Sequence, residues 1–234
     1  MTVPGIITSA HALSYYQRLQ EVTANNLANV STDGFKLDRL TSSTQDGDGY
    51  PSPVEKLDLS QGQINDTGRE LDVALRGPGY FTVQTPRGES LMRGGSFHLD
   101  SEGRIVDGQG DPVMGNNGPI VLPPNGGKIT VRADGSIFID GTPTDQFRID
   151  NVSDPKQLTE EGAGQFSFTG PTTPTTSGTT TVQQGSIEQP NSSAVSGMVD
   201  LVSIQRAYAA NLDAIKAMDG VLDTVAGQVG GTTQ

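Results

Sequence analysis

Cysteine is absent from the 234 residues. That excludes a disulfide framework, a cysteine zinc site and a thiol nucleophile, and leaves the compartment open. Tryptophan is also absent, and aromatic residues make up only 5%. Positive charge is scarce: 15 Lys and Arg stand against 27 Asp and Glu, for a formal net charge of −12. An acidic chain repels phosphate backbones and anionic headgroups, so neither nucleic acid nor a membrane surface is an expected partner. No run approaches the ~18 apolar residues that read as a membrane span, so membrane insertion is not expected. The opening residues Met1-Thr2-Val3-Pro4-Gly5-Ile6-Ile7 lack a basic region followed by an apolar core, so they do not read as a secretory signal. Export, if it occurs, would need another route.

Glycine (30 residues) and proline (14) are plentiful, and Thr and Ser abound. This mixture suits short strands joined by turns. Two end regions depart from it. Over about 4–31, Pro4 fits a first helical turn, and Ile6, Leu13, Tyr16, Leu27 and Val30 fall on one seam that Gln20 and Thr23 interrupt. Asp33-Gly34 then reads as a stop and turn. Over about 191–229, Ala194, Leu201, Tyr208, Ile215, Leu222 and Val229 recur every seven residues. Met198, Leu212 and Ala226 supply the companion position, Gln205 and Asp219 break it, and Val195, Val202 and Ala209 widen the stripe. Asn191, Ser192 and Ser193 are able caps. Such spacing predicts a long amphipathic helix of coiled-coil type.

Between the ends, short runs such as Leu71–Leu75, Tyr80–Val83, Arg104–Val106, Ile120–Leu122, Lys128–Val131 and Ser136–Ile139 alternate with turns at Asp107-Gly108, Asp134-Gly135 and Asp140-Gly141. They predict an all-β domain with hairpins. The expected fold is therefore α+β: long N- and C-terminal helices packed as a coiled coil, with a central all-β domain. The expected division is an N-terminal helix and turn (1–40), a linker and extended segment (41–70), the β-domain (71–168), a return linker (169–190) and the C-terminal helix (191–234). A lone helix cannot hide an apolar stripe, and two paired helices still leave apolar surface, so the pattern itself argues for assembly.

No pattern points to chemistry. His11 and His98 have no neighbours at metal spacing. Gly94-Gly95-Ser96 lacks the closing glycine of a nucleophile elbow, and Gly108-Gln109-Gly110 lacks the third glycine and the helix of a dinucleotide site. Asp46-Gly47-Asp48-Gly49 begins like a calcium loop, but the twelfth position is Leu57, not Glu. Glu160-Glu161 are adjacent in a polar loop, which is not glycosidase geometry. No catalytic, cofactor-binding or metal residue is expected, and no cofactor.

The segment Asn25-Asn26-Leu27-Ala28-Asn29-Val30-Ser31-Thr32-Asp33-Gly34-Phe35-Lys36 closely resembles the N-terminal signature of bacterial flagellar rod and hook axial proteins. The likeness continues through Leu71–Val83, Arg93-Gly94-Gly95-Ser96-Phe97, Gly103–Val106, Gln184-Gly185-Ser186-Ile187-Glu188, Met198–Val202 and Gln205-Arg206-Ala207-Tyr208. Leu91-Met92, Asn191–Ala194 and Ala209-Ala210 depart from the family pattern, which bears on subtype. The resemblance implies a basal-body rod subunit that assembles with copies of itself and other rod subunits into a hollow drive shaft for motility. It also implies export through the flagellar type III apparatus without a cleaved signal, and a place in the rod within the periplasmic space. The short connection from Lys36 to Leu71 resembles the proximal rod protein more than the distal one.

Several residues are then candidates for subunit interfaces: Ile6, Leu13, Tyr16, Leu27 and Val30 on the first seam, and Met198, Leu201, Arg206, Tyr208, Leu212, Ile215 and Leu222 on the last helix. Asn25, Asn26 and Asn29 can bond neighbouring subunits, or simply cap a helix end and face solvent. Gly34 is expected to take a positive φ, and Phe35 to plug an apolar gap within or between chains. Tyr208 is equally explained as core. Two rival classes remain: an adhesin or glycan-binding module on a coiled-coil stalk, and an enzyme with an unrecognised site.

Overall fold

Pro4 opens α1 (Pro4–Ala28), where its missing N–H falls among the donors that a helix start leaves unpaired. The computed structural model describes residues 4–43, 52–123, 126–175 and 179–230. The helix ends sooner than its apolar pattern suggests: Thr32 N–H turns back to the Asn29 carbonyl at 3.0 Å, which leaves Val30 in the turn. The chain forms two units. A helical unit holds α1, α2 (Ala194–Gly230) and the segment Asp38–Lys56; a β unit holds Asn29–Leu37 and Leu57–Ser192.

In the helical unit, α1 and α2 lie side by side in opposite directions. A Cβ built on Gly5 would lie 3.1 Å from Met218 Sδ, and one on Gly197 would lie 3.6 Å from Leu27 Cδ1. The expected coiled coil does not form. Its companion position is displaced by one residue: Met198 is 50% exposed, whereas Ile204, one residue before Gln205, is buried. The observed inner face steps through Ala194, Gly197, Leu201, Ile204, Tyr208, Asn211, Ile215 and Met218, none of them fully exposed. Gly197 supplies no knob and Asn211 a polar one, so large apolar layers do not repeat as a coiled-coil seam requires. Among the described residues, Val22 is the one buried apolar side chain of α1 and Ile204 that of α2. The α+β architecture, with helices at both ends of a β region, is as expected.

The stretch expected as a linker and extended segment (41–70), with the residues just before it, carries β1 (Asp38–Ser43) and β2 (Ser52–Leu57), which pair as a two-stranded sheet. Asp46–Gly49, considered above as a calcium loop, lies outside the described residues. Arg18 on α1 forms ion pairs with Glu21 at 2.8 Å and with Glu55 of β2.

The β unit is built on a six-stranded antiparallel sheet. Its strands, in spatial order, are Leu158–Gly162, Gln165–Phe168, Gly88–Met92, Tyr80–Thr85, Ile149–Val152 and Thr172–Pro174. Successive residues point to opposite faces, so this sheet is covered on both sides. Phe81, Val83 and Met92 join Val73, Leu75, Phe97, Ile105 and Phe147 in the larger core, while Tyr80 and Leu91 join Leu158 and Phe166 in the smaller. Phe81, Phe97 and Phe147 have ring centroids 5.2–5.8 Å apart. A three-stranded meander (Ile129–Val131, Ser136–Ile139, Thr142–Gln146) turns at Asp140-Gly141, whose φ values of 49° and 82° both lie in the left-handed region that the tight hairpin needs.

The Thr-rich stretch after residue 169 supplies strands of this unit. Thr181–Gln184 pairs with Val73–Arg76, and Ser186–Glu188 pairs with Ile64–Asp66. The chain's late segment therefore closes the β unit beside its early one.

Candidate assembly site

Lys36, Arg93 and Glu188 lie far apart in sequence, and the fold brings them together with almost no exposure: 1%, 5% and 0%. Glu188 reaches this point because Ser186–Glu188 pairs with Ile64–Asp66. Its Oε1 accepts from Lys36 Nζ at 2.5 Å and from the Gly62 N–H at 3.0 Å. Its Oε2 accepts from Arg93 Nε at 2.7 Å and from Gln61 Nε2 at 3.3 Å. Lys36 also donates to the Ser60 carbonyl at 2.7 Å. The rest of the Arg93 guanidinium donates to the carbonyls of Leu75 (3.2 Å), Gly77 (2.6 Å) and Gly79. A buried carboxylate with every lone pair engaged between two cations is tolerable; the same carboxylate alone would not be. Burial pushes the Glu188 carboxyl up, but Arg93 and Lys36 outweigh it and hold it below the usual range. Burial likewise lowers the Lys36 ammonium, against the opposing pull of Glu188.

The turn that delivers Lys36 depends on glycine. Gly34 has φ +68°, as expected for that turn, and a Cβ there would lie 2.2 Å from Gly94 N. A Cβ on Gly95 would lie 1.6 Å from the Val73 carbonyl oxygen. Backbone packs directly on backbone here, which only glycine permits. Phe35 is fully buried within the β unit. Asn191 completes the arrangement. Its Oδ1 accepts from Leu37 N–H at 2.9 Å, and its Nδ2 donates to the Asp58 carbonyl at 2.7 Å. Asn191 therefore ties together the irregular segments at Leu37 and Asp58 instead of capping α2; Ser193 takes the cap, its Oγ 3.5 Å from Ser196 N.

The remaining candidates divide by exposure. Asn26 bonds its own chain, donating to the Asp38 carbonyl at 2.8 Å and accepting from Asp38 N–H at 2.9 Å. Asn29 Oδ1 accepts from Thr32 Oγ1 at 3.2 Å, and Asn25 is exposed with a partner within the chain. Leu13, Tyr16 and Leu27 on α1 are half-buried, as are Val30 in the turn and Leu201, Tyr208, Leu212 and Ile215 on α2. Arg206 is exposed, and the side chain of Ile6 lies outside the described residues. The first two turns of α2 present Val195, Met198, Val199 and Val202 to solvent, at 47–69% exposure. These four form one stripe on the side opposite Ile204.

Three family models match the chain in order: "Flagella basal body rod protein" over residues 6–36, "Flagellar hook protein FlgE/F/G D1 domain" over 74–139, and "Flagellar basal body rod FlgEFG protein C-terminal" over 183–228. The chain is 32% identical over 257 residues to the flagellar basal-body rod protein FlgG of Buchnera aphidicola subsp. Schizaphis graminum, covering 94% of this chain and 97% of that one. The chain belongs to the flagellar basal-body rod protein family. Another member, FlgF of Escherichia coli K12, is 32% identical over 237 residues, covering 92% and 94%. FlgG of Bacillus subtilis 168 is 27% identical over 253 residues, covering 93% and 96%. In this member of the rod family, the matched N-terminal segment supplies Lys36 and the C-terminal one supplies Glu188. Both residues fall within the family-like motifs, but a lone Lys and a lone Glu 152 positions apart carry no signal in the sequence that they meet.

Proposed function

We infer that the chain is a structural subunit of the bacterial flagellar basal-body rod, assembling with other axial flagellar proteins for motility. Family membership sets the class, and the observation that carries the mode of assembly is the exposed stripe of Val195, Met198, Val199 and Val202 on α2. Contiguous apolar surface on a soluble helix marks an interaction face. Neighbouring subunits' helices cover this stripe, and with it the exposed parts of Leu212, Ile215, Leu222, Arg206 and, on α1, Leu13, Tyr16 and Leu27. Gly34 and Phe35 act differently: being covered already, they set the path of the chain.

The subunit is a scaffold and not an enzyme. A 360 Å³ pocket beside the ionic cluster is lined by Lys36, Tyr80, Arg93 and Leu158, yet both of its cations are committed to Glu188 and backbone carbonyls. We extend the reading to export through the flagellar apparatus, to a position in the rod within the periplasmic space, and to the proximal part of the rod; the short connection between Lys36 and Leu71 supports the last. Electron microscopy of the purified chain mixed with other axial proteins tests the reading. Rod-shaped assembly is expected from the native chain, and its loss from Val199→Asp with folding unchanged. Equal assembly by that variant would refute the proposed face.

A further inference from the structure

We propose that the contacts joining Gly34–Leu37 to Glu188–Asn191 form a shear clasp, the element of the β unit that bears mechanical load along the chain. The chain first enters this unit at Asn29 and finally leaves it at Ser192, so tension between the two termini reaches it at those two points. The segments just inside them are bonded to each other. Gly34 N–H donates to the Glu188 carbonyl at 2.7 Å, Asn191 N–H to the Phe35 carbonyl at 3.4 Å, and Leu37 N–H to Asn191 Oδ1 at 2.9 Å. The pairing advances in the same direction on both segments, 34 with 188 and then 35 and 37 with 191. Tension applied before Gly34 and after Asn191 therefore slides the segments along each other and loads the bonds together, instead of opening them one by one. The buried Lys36–Glu188 and Arg93–Glu188 pairs lie across the same line. Asn191 adds a cross-tie to Asp58 (2.7 Å), and Asp58 N–H in turn donates to the Leu37 carbonyl at 2.9 Å.

The clasp goes beyond the rod reading, which supplies only the reason a shaft subunit would need one. Forced unfolding is governed by the barrier on the loaded path and not by overall stability. A clasp variant and a core variant should therefore separate. The full chain has no cysteine, so a cysteine added at each terminus allows tethering for single-molecule force measurement. Asn191→Ala should unfold the β unit at least about tenfold faster under constant load, the factor that loss of about one well-formed bond from the barrier implies. Ile137→Val, in the core and off the loaded path, should lower the thermal midpoint but leave the rate under load near that of the native chain. The clasp is overturned if Asn191→Ala matches the native chain under load, or if both variants slow or speed only in proportion to their thermal midpoints. Asn191→Ser serves the same comparison should the alanine variant not fold. Rod assembly by the same variants, viewed by electron microscopy, reports separately on the rod reading: chains that assemble but show no load-specific loss overturn the clasp alone.

Discussion

Glu188 has four donors within 3.3 Å and no exposed surface. Its replacement by Gln leaves Lys36 and Arg93 buried together without a counter-charge. Breaking such a pair costs about 3–5 kcal/mol, so Glu188→Gln should lower the thermal midpoint of the β unit steeply, as read by circular dichroism or calorimetry. The pH dependence has a definite sign. The folded carboxyl titrates below its ordinary value of 4.5, so its contribution is fully present above pH 4.5 and disappears as the pH falls through the lower folded-state value. Chemical denaturation of the native chain between neutral pH and pH 3 should show that loss, and Glu188→Gln should show a flatter profile over the same window. Asp33 runs the other way: burial and then Asp72 raise it above 3.8, so stability from its protonated form is lost as the pH rises. That share is common to both chains and cancels in the comparison. Equal slopes in the two chains would remove Glu188 from its central place. The signature turn was readable at this scale, because Asp-Gly followed by an aromatic residue states a left-handed turn and a plug. The ionic partners were not, because their meeting depends on strand pairing across most of the chain.

At the scale of elements, two short connections carry much of the order. Gly34 stands at φ +68° with Gly94 pressed against it. Gly34→Ala should cost at least about 1–2 kcal/mol from the left-handed conformation alone, with more from the clash, measured as a shift in the denaturant midpoint. Asn26 imitates a strand by both donating to and accepting from Asp38. Asn26→Ala should cost about 1–2 kcal/mol locally and appear as faster amide exchange over Asp38–Ser43, with exchange in Tyr80–Thr85 unchanged. The element types at both ends and most central strands were legible, since helical spacing, alternation and Asp-Gly turns act locally. Two features were not. The inner face of α2 runs through Gly197 and Asn211, residues that hydrophobic counting passes over in favour of Met198 and Leu212. The stretch after residue 169 is Thr-rich, and threonine serves a linker or a strand equally well until a partner strand is known; Val73–Arg76 is that partner.

For the whole molecule, the helices and the β unit divide the work. The β unit has two apolar cores and a buried ionic clasp, so it holds its own structure. The helical unit buries only Val22 and Ile204 among its described apolar side chains and leaves a valine and methionine stripe in solvent, so its stability depends on neighbours. Isolated subunits should therefore show rapid amide exchange through Ala194–Gly220 and slow exchange through Tyr80–Thr85, and assembly should slow the former selectively. The most direct measurement of the rod assignment is electron microscopy of the purified chain with other axial flagellar proteins, alongside Val199→Asp. Tubular or rod-shaped particles from the native chain, absent from the variant while its circular dichroism is unchanged, are the predicted result. Native chains that persist as monomers and bind glycan instead would contradict it.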